Sequence, residues 1–412
     1  MLIHVAKESL ISRKKTVLLT FFSLTISMLV LFCVEHIRLQ AKLSFNRTIS
    51  GTDLIVGAPS GQLNLLLYSV FRMGNPTNNI KYESFQTLNR SALVKWAIPI
   101  SLGDSHKGFR VLGTTDSYFR HYQFGDQQTL SFHQGQKFNS MFDTVIGADV
   151  AKKLGYRVGD HIVISHGIGH TSFANHDKSP FIISGILAPT GTPVDKTVHV
   201  SLQAIEAIHL APSQFQMLAN NPDDISVEPK SITAVMLGLK SKFSTFKLQR
   251  DINNYKNDRL MAVLPGVAMT ELWGLMSYVE NLLRVIAGLV LLSSLFGLST
   301  MLLASINERQ SEIAVFRVLG AGPGRIMSLI FIEALLLTLI AIVTALILLS
   351  LGLVSLKDWL AIQFGLFLSP NIFSPEIVQV SILILLATLI TAFYPSLEVY
   401  KSALHSQLSN RR

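Results

Sequence analysis

Of 412 residues, one is cysteine, Cys33, and it falls inside an apolar run. No disulfide can form within the chain, so any part outside a membrane must fold on its own core. Charge is scarce too. Asp, Glu, Lys and Arg make up 15% of the chain and hydrophobic residues 49%, whereas soluble domains carry about 25% charge. The chain is therefore not read as an ordinary soluble protein. The common signatures of catalysis are also missing. Gly103-Asp-Ser-His-Lys-Gly108 has the glycine spacing of a nucleotide loop, but Phe109 follows instead of Lys-Ser/Thr, and the stretch reads as a hairpin turn. There is no His-Glu-x-x-His helix, no Gly-x-Ser-x-Gly elbow and no evident carboxylate pair. The chain is expected to perform no covalent chemistry and to bind no nucleotide directly. Segment 35–275 has a net charge of +5 with no dense basic stripe, so nucleic acid is not an expected partner.

What is abundant is uncharged sequence. Thr16–Val34, Val285–Ile306, Ala334–Leu356 and Ile377–Leu397 each lack charge, and each is close to or above the ~20 residues that cross a hydrocarbon core. Four membrane helices follow. The first run exceeds the 7–15 residues of a signal-peptide core, and no small-x-small site follows it, so it is read as a retained span. Lys7, Arg13, Lys14 and Lys15 precede the first span, Arg309, Arg317 and Arg325 lie between the second and third, and Lys401, Arg411 and Arg412 follow the fourth. The positive-inside rule puts both ends and the central loop in the cytoplasm and the long segment 35–275 outside it.

This gives nine segments. Residues 1–15 form an amphipathic cytoplasmic piece, with Leu2, Val5, Ala6, Leu10 and Ile11 on its apolar face. Residues 16–45 hold the first span and a stalk, because Val34, Ile37, Ala41 and Phe45 keep helical spacing. Residues 46–269 form the outer domain. Within it, strands are expected at Asp53–Val56, across Lys95–Gly113, and at Thr144–Gly147, His161–Ser165, Phe181–Leu187, Thr197–Ser201, Ile232–Leu239 and Met261–Leu264. Helices are expected at Gln62–Arg72, Ala148–Gly155, Leu202–Leu210 and Thr245–Tyr255, and 211–230 is read as a loop. Residues 270–306 return through a second stalk, with Glu280 and Arg284 four apart as a potential pair, into span two. Then come a charged segment and elbow (307–325), span three (326–356), a short outer loop (357–376), span four (377–397) and a tail (398–412). The expected class is an α+β membrane protein, with four transmembrane helices and a large mixed α+β domain between helices one and two.

Three groups of residues are candidate sites. In the first, 305–326, Ile306, Ile313, Phe316 and Leu319 recur at near-helical spacing, with Glu308, Arg309, Glu312 and Arg317 largely between them and Gly320 at the end. The segment is either a snorkelling anchor or a helix that docks on a cytoplasmic partner. In the second, Ser293, Gly297, Thr300 and Ala304 place small residues on one face of span two, suited to helix contact. In the third, His161, His166, His170, His176 and Asp177 lie within seventeen residues. His166, His170 and His176 are possible zinc ligands, although no fixed metal spacing is matched and a solvated loop is the alternative. His199 and His209 are isolated and read as surface or packing residues.

The first of these groups also carries a family resemblance. Asn-Glu308-Arg309-Gln-Ser-Glu312-Ile313-Ala-Val-Phe316-Arg317-Val-Leu-Gly320-Ala, with Glu333 at the start of span three, resembles the coupling segment of the FtsX/MacB superfamily of ABC transporter permeases. Thr144-Val-Ile-Gly-Ala-Asp-Val-Ala-Lys-Lys-Leu-Gly-Tyr-Arg-Val-Gly-Asp160, Phe181-Ile-Ile-Ser-Gly-Ile-Leu-Ala-Pro-Thr-Gly-Thr-Pro-Val-Asp195 and Tyr394-Pro-Ser-Leu-Glu-Val-Tyr400 resemble further family segments. The family has closely spaced glycines in span three, where this chain has Ala341, Thr344 and Ala345.

The resemblance implies a non-catalytic permease of the mechanotransmission type. It would lie in the bacterial inner membrane with its large domain in the periplasm. A separate cytoplasmic ABC ATPase would bind ATP and Mg and dock on Glu308, Arg309, Glu312, Ile313, Phe316, Arg317 and Gly320. The permease would pair as a homodimer or with a paralogous permease, with a periplasmic adaptor or lipoprotein as a further partner. The expected work is export, extraction or efflux on the outer side. The alternatives are an FtsX-like signalling device acting on a cell-wall hydrolase or sensor, a zinc transport component, and a membrane-anchored enzyme, for which no motif speaks.

Overall fold

The structure, a computed structural model, describes residues 2–166, 181–210, 227–308, 315, 318, 321–364 and 371–409. The chain divides into two compact units, one of Met1–Ala41, Ser277–Ala361 and Phe367–Arg412, the other of Lys42–Met276 with Ile362–Leu366.

The first unit is helical. A short helix α1 (Leu2–Ser12) precedes α2 (Lys14–Thr48), which runs without a break through the first apolar run and the expected stalk. The later long helices are α9 (Pro265–Glu308), α10 (Pro323–Phe364) and α11 (Pro375–Ser409). All four long helices are long and apolar enough to cross a membrane. They pack through small and hydroxyl-bearing residues, as helices do where lipid removes the hydrophobic drive for association. Ala334, Thr338, Ala341 and Ala345 of α10 are fully buried, and so are Ile384, Thr388 and Ser396 of α11. The Thr338 and Thr388 hydroxyls meet at 3.3 Å. Alanines thus supply the close packing in span three.

Pro395 sits inside α11. It has no N–H to give to the Thr391 carbonyl one turn back. Ser299 Oγ of α9 donates to that carbonyl instead, at 3.3 Å. The proline of the Tyr-Pro-Ser motif therefore frees an acceptor that ties α11 to α9.

The second unit is built on a mixed sheet. In chain order its elements are β1 (Leu54–Gly57), α3 (Gln62–Ser69), β2 (Ile80–Lys81), α4 (Tyr82–Asn89), β3 (Val94–His106), β4 (Phe109–Thr114), α5 (Asp116–His121), β5 (Gln123–Phe124), β6 (Gln128–Thr129), β7 (Phe132–Gly135), β8 (Asp143–Ile146), α6 (Ala148–Leu154), β9 (His161–Ile162), β10 (Ser165–His166), β11 (Phe181–Leu187), β12 (Thr197–Ser201), α7 (Leu202–Ala207), β13 (Ser231–Ile232), β14 (Ala234–Leu239), α8 (Thr245–Asn253) and β15 (Met261–Val263). The main sheet runs β15-β1-β14-β3-β4-β12-β8-β11-β7, with β10 beside β3 and β9 beside β11. Most pairs are antiparallel, while β12 lies parallel to β4 and β8 to β11.

Alternation along the strands sends successive side chains to opposite faces. Ile55 and Met236 join one core with Leu65, Tyr68, Ile98, Tyr118 and Tyr122, and Leu54, Val56, Val235 and Leu237 join another with Leu248 and Ile252. Strands β1 and β14 are buried on both sides, so they read as continuous apolar runs.

The long strand β3 corrects one expectation. The chain does not turn over Gly103–Gly108. β3 continues to His106 through a bulge after Leu102, and the turn is only Lys107-Gly108. Both turn residues have positive φ, 45° and 85°, as a two-residue hairpin turn matched to strand twist requires.

The two outer-domain stretches that carry the resemblance meet here. A Cβ on Gly147 would lie 2.3 Å from the Val194 carbonyl, so only glycine lets that strand end approach. The Asp195 carboxylate is buried and accepts from Thr190 N, Thr190 Oγ1 and Gly191 N, each at 2.8 Å. Burial pushes its carboxyl above the usual range, and the Thr190 and Gly191 hydrogen bonds pull the other way.

Candidate functional site: a charge-locked helix pair

Helices α2 and α9 share a seam in the membrane unit. Leu24, Met28 and Phe32 of α2 are fully buried, and Ala287, Leu291, Leu295 and Leu298 of α9 nearly so. Each set follows helical spacing. Within the seam Ser294 Oγ lies 2.5 Å from Ser27 Oγ and 3.3 Å from Ser23 Oγ.

Just past the uncharged run of α2 the seam changes character. Glu35 is buried, and Arg284 of α9 reaches it with a fork: Nε to Oε2 and Nη2 to Oε1, both at 3.2 Å. Arg38, one turn on, also holds Glu35, and its Nη1 lies 3.7 Å from Glu280 of α9. Two carboxylates and two guanidinium groups alternate across the helix pair. The sequence suggested Glu280 with Arg284 along one helix. In the folded chain both cross to α2 instead, because a carboxylate buried in the seam needs the bidentate donor more than an exposed one does.

Further along the same two helices a second tie forms inside the other unit. Phe45 of α2 meets Trp273 of α9 edge to face at 5.7 Å and Phe71 at 4.8 Å. Trp273 Nε1 donates to Asn46 Oδ1 at 3.4 Å.

Residues 16–255 match the family model described as MacB-like periplasmic core domain, and residues 284–404 match the one described as FtsX-like permease C-terminal. The chain belongs to the FtsX/MacB family of ABC transporter permeases. A curated relative is the lipoprotein-releasing system transmembrane protein LolE of Haemophilus influenzae, 26% identical over 196 residues, 45% of this chain. The alignment covers 41% of that relative's length. Two solved structures are also similar. One is the periplasmic region of MacB from Actinobacillus actinomycetemcomitans, at 11% identity and TM-score 0.35, covering 55% of this chain and 94% of that one. The other is the extracellular domain of the ABC-type transporter YknZ from Gram-positive bacteria, at 15% identity and TM-score 0.29, covering 51% and 98%.

As an FtsX/MacB-family permease, the chain is a membrane protein with an extracytoplasmic domain between its first two membrane helices. Of the expected ATPase-docking residues, Glu308 is exposed at the end of α9. Arg309, Glu312, Ile313, Phe316, Arg317 and Gly320 lie outside the described residues. Val315 and Val318, not singled out in the sequence, are helical and exposed, Val318 at 87%. Beside this segment, Leu302, Ser305 and Ile306 of α9 and Ile326, Leu329, Ile330 and Glu333 of α10 line a small cavity, with Glu333 buried.

The small-residue stripe of α9 is not the face that packs within this chain. Ser293, Gly297, Thr300 and Ala304 are exposed, and a Cβ on Gly297 would meet nothing within 4 Å. The face of α9 that packs within the chain lies one residue around, at Ser294, Leu295, Leu298, Met301 and Ser305. The sequence missed it because its leucines look the same as lipid-facing ones.

Of the histidines, His170 and His176 lie outside the described residues, and His166 is described only as part of β10. Among the described residues no three metal-ligating side chains come together. His199 is a packing residue, fully buried against Tyr118 and Phe119.

Proposed function

We propose that this chain is the permease subunit of an ABC transporter in a bacterial inner membrane. A separate cytoplasmic ATPase binds ATP and Mg and docks on the segment around Glu308–Gly320. Two permease copies, or this chain and a paralogue, form the membrane part. Hydrolysis in the ATPase moves the periplasmic domain, and the work is done on cargo at the outer side.

The observation that carries this reading is the double tie between α2 and α9. Each helix runs unbroken from an apolar span to a partly buried aromatic residue, Phe45 or Trp273, packed against the core of the outer unit. The Glu35, Arg284, Arg38 and Glu280 cluster binds the pair along the way. A helix is stiff along its axis, and two helices cross-linked at two levels transmit displacement as one lever. Because the relative LolE belongs to a lipoprotein-releasing system, a lipidated protein is the first cargo class to try.

The test uses the full chain purified with its co-purifying ATPase and reconstituted in proteoliposomes. ATP is expected to change the distance between spin labels on two outer domains and to release a lipidated protein from the vesicles. The Glu35→Gln/Arg284→Gln double variant is expected to keep ATP turnover and lose most of the release. Full release by that variant would remove the lever reading. Motion of the domains with no cargo released would favour the signalling output.

A further inference from the structure

We propose that Arg72 and Arg110 of the outer unit form a recognition site for a doubly charged phosphate group. Arg72 is 9% exposed, and its Nε and Nη1 have no hydrogen-bond acceptor among the described residues. Its Nη2 finds only the Tyr118 hydroxyl there, at a long 3.5 Å. Among the described residues no carboxylate forms an ion pair with Arg72 or with Arg110. An enclosed charge without a partner is costly to keep. The backbone adds to that cost, because Arg72 has a φ of 59°, in the left-handed region that side-chain-bearing residues rarely adopt. Packing alone gives no reason for a cation at this position.

Arg110 brings a second guanidinium to the same face of the sheet. In the parallel pair of β4 and β12 it lies opposite Thr197, and the next pair on that face is Leu112 with His199. Alternation therefore puts Arg110 on the side where His199 packs against Tyr118. Burial lowers the pKa of Arg110 and of His199, and the Arg72 charge lowers both further. No neighbour neutralises the two cations. His199 is held neutral with Nδ1 on the Val145 carbonyl, and the buried Asp195 carboxylate is taken up by Thr190 and Gly191. Two guanidinium groups leave a local charge of +2. Their forked donors suit the oxygens of a phosphate dianion, and that charge exceeds what one carboxylate would balance.

The turn that follows α3 controls access. Arg110 Nη2 donates to the Gly74 carbonyl at 2.5 Å and to Asn75 Oδ1 at 3.1 Å. Met73, Gly74 and Asn75 are exposed, and Arg110 is half-buried. A phosphate arriving from solvent meets Arg110 first and competes with two neutral oxygens. A hydrogen bond charged on both sides is stronger than either. Once Arg110 lets go of Gly74 and Asn75, the turn is free to move, and Arg72 in the same turn can aim its unused donors at the anion. The strained φ of Arg72 favours that rearrangement, since moving the turn relieves it.

The experiment uses the full chain in detergent micelles at pH 8, where phosphate is doubly charged. Ionic strength is held constant with chloride, which fixes non-specific charge effects. Calorimetry with inorganic phosphate is expected to show saturable binding at one site per chain, which acetate at equal concentration does not displace. Arg110→Met and Arg72→Met should each weaken it at least tenfold. Asn75→Asp should weaken it too, because its carboxylate would occupy Arg110. Glycerol phosphate separates two sources of the same chemistry. Affinity comparable to that of phosphate identifies a phosphate ester as the ligand, and no affinity identifies the free ion. Thermal unfolding separates binding from packing. Without phosphate, Arg72→Met should melt no lower than the parent, since an enclosed unpaired charge is gone, and phosphate should no longer raise its midpoint. A lower midpoint with unchanged phosphate affinity would make Arg72 a packing residue and overturn the proposal. So would the absence of saturable binding, displacement by acetate, or unchanged affinity in Arg110→Met.

Discussion

Two residues show how single atoms in this chain acquire consequences. His199 is fully buried, with Nδ1 donating to the Val145 carbonyl at 3.1 Å. Burial, with the Arg72 guanidinium adding to it, lowers its pKa from 6.5 to about 3. The folded state therefore keeps this imidazole neutral where the unfolded chain would protonate it. Its stabilisation is complete above pH 6.5 and is lost as pH falls toward 3, at up to about 1.4 kcal/mol per pH unit. Buried Asp195 and half-buried Asp149 are shifted upward by desolvation, and they act with the opposite sign, nearer the carboxylate range. Unfolding of the outer unit, followed by near-UV circular dichroism, should lose stability from pH 7 to pH 5. In His199→Leu, whose absolute stability is lower, that slope should flatten. An unchanged slope would assign the dependence to other groups. Ser299 acts through one hydrogen bond, to the carbonyl that Pro395 leaves free. Ser299→Ala is expected to cost about 0.6–1.7 kcal/mol. In Pro395→Ala, where the helix reclaims that carbonyl, the cost should shrink. A thermal-shift double-mutant cycle measures the difference, and additive effects would disprove the link.

Among elements, the segment between α9 and α10 has the sharpest competing readings. If it only anchors the spans, changing its charges matters little, since exposed pairs contribute about 0–1 kcal/mol. If it docks on an ATPase, a few apolar anchors dominate, at about 2 kcal/mol or more each. Phe316→Ala and Val318→Ser should then reduce ATPase co-purification at least tenfold while the spans still insert. Gly320→Val should do so by a different route, by straining the helix end. Normal assembly in Phe316→Ala and in Glu312→Ala/Arg317→Ala would leave the anchor. Elements were legible in this sequence where one physical signal dominated. The four spans, α6, α8 and the strands β11, β12 and β14 follow from apolar length or period. The helix-to-helix pairing of Glu280 and Arg284 was not legible, because local spacing favours i,i+4 pairs and says nothing about a neighbouring helix. Helices α4 and α5, of eight and six residues, are too short to give a clear period. The Arg72 and Arg110 pair was hidden for another reason: the two arginines are far apart in the chain and come together only in the fold.

At the scale of the whole molecule, the chain's function depends on which side each part occupies. The proposed function requires what the Lys/Arg bias led us to expect: α1, the segment around Gly322 and the C-terminal tail together on the cytoplasmic side, and 46–269 opposite. An ATPase can reach the segment and cargo can reach the outer domain only in that arrangement. Single cysteines at Ser60, in the outer unit, and at Gly322, just before α10, test it in a Cys33→Ser background. In intact spheroplasts a membrane-impermeant maleimide is expected to label Ser60→Cys and spare Gly322→Cys. After permeabilisation both should react. Gly322 is exposed, so its protection in intact cells would reflect the membrane and not burial. Ser60 is half-buried, so slower but complete labelling is the expected result there. Labelling of both sites from one side would dismantle the lever, since force generated in the cytoplasm would have no outer domain to move. Labelling with the sides reversed would retain four spans but put the charged segment where no ATP is available. Only the expected pattern lets the Glu35–Arg284 lock sit in the path between an ATP-driven partner and the outer domain.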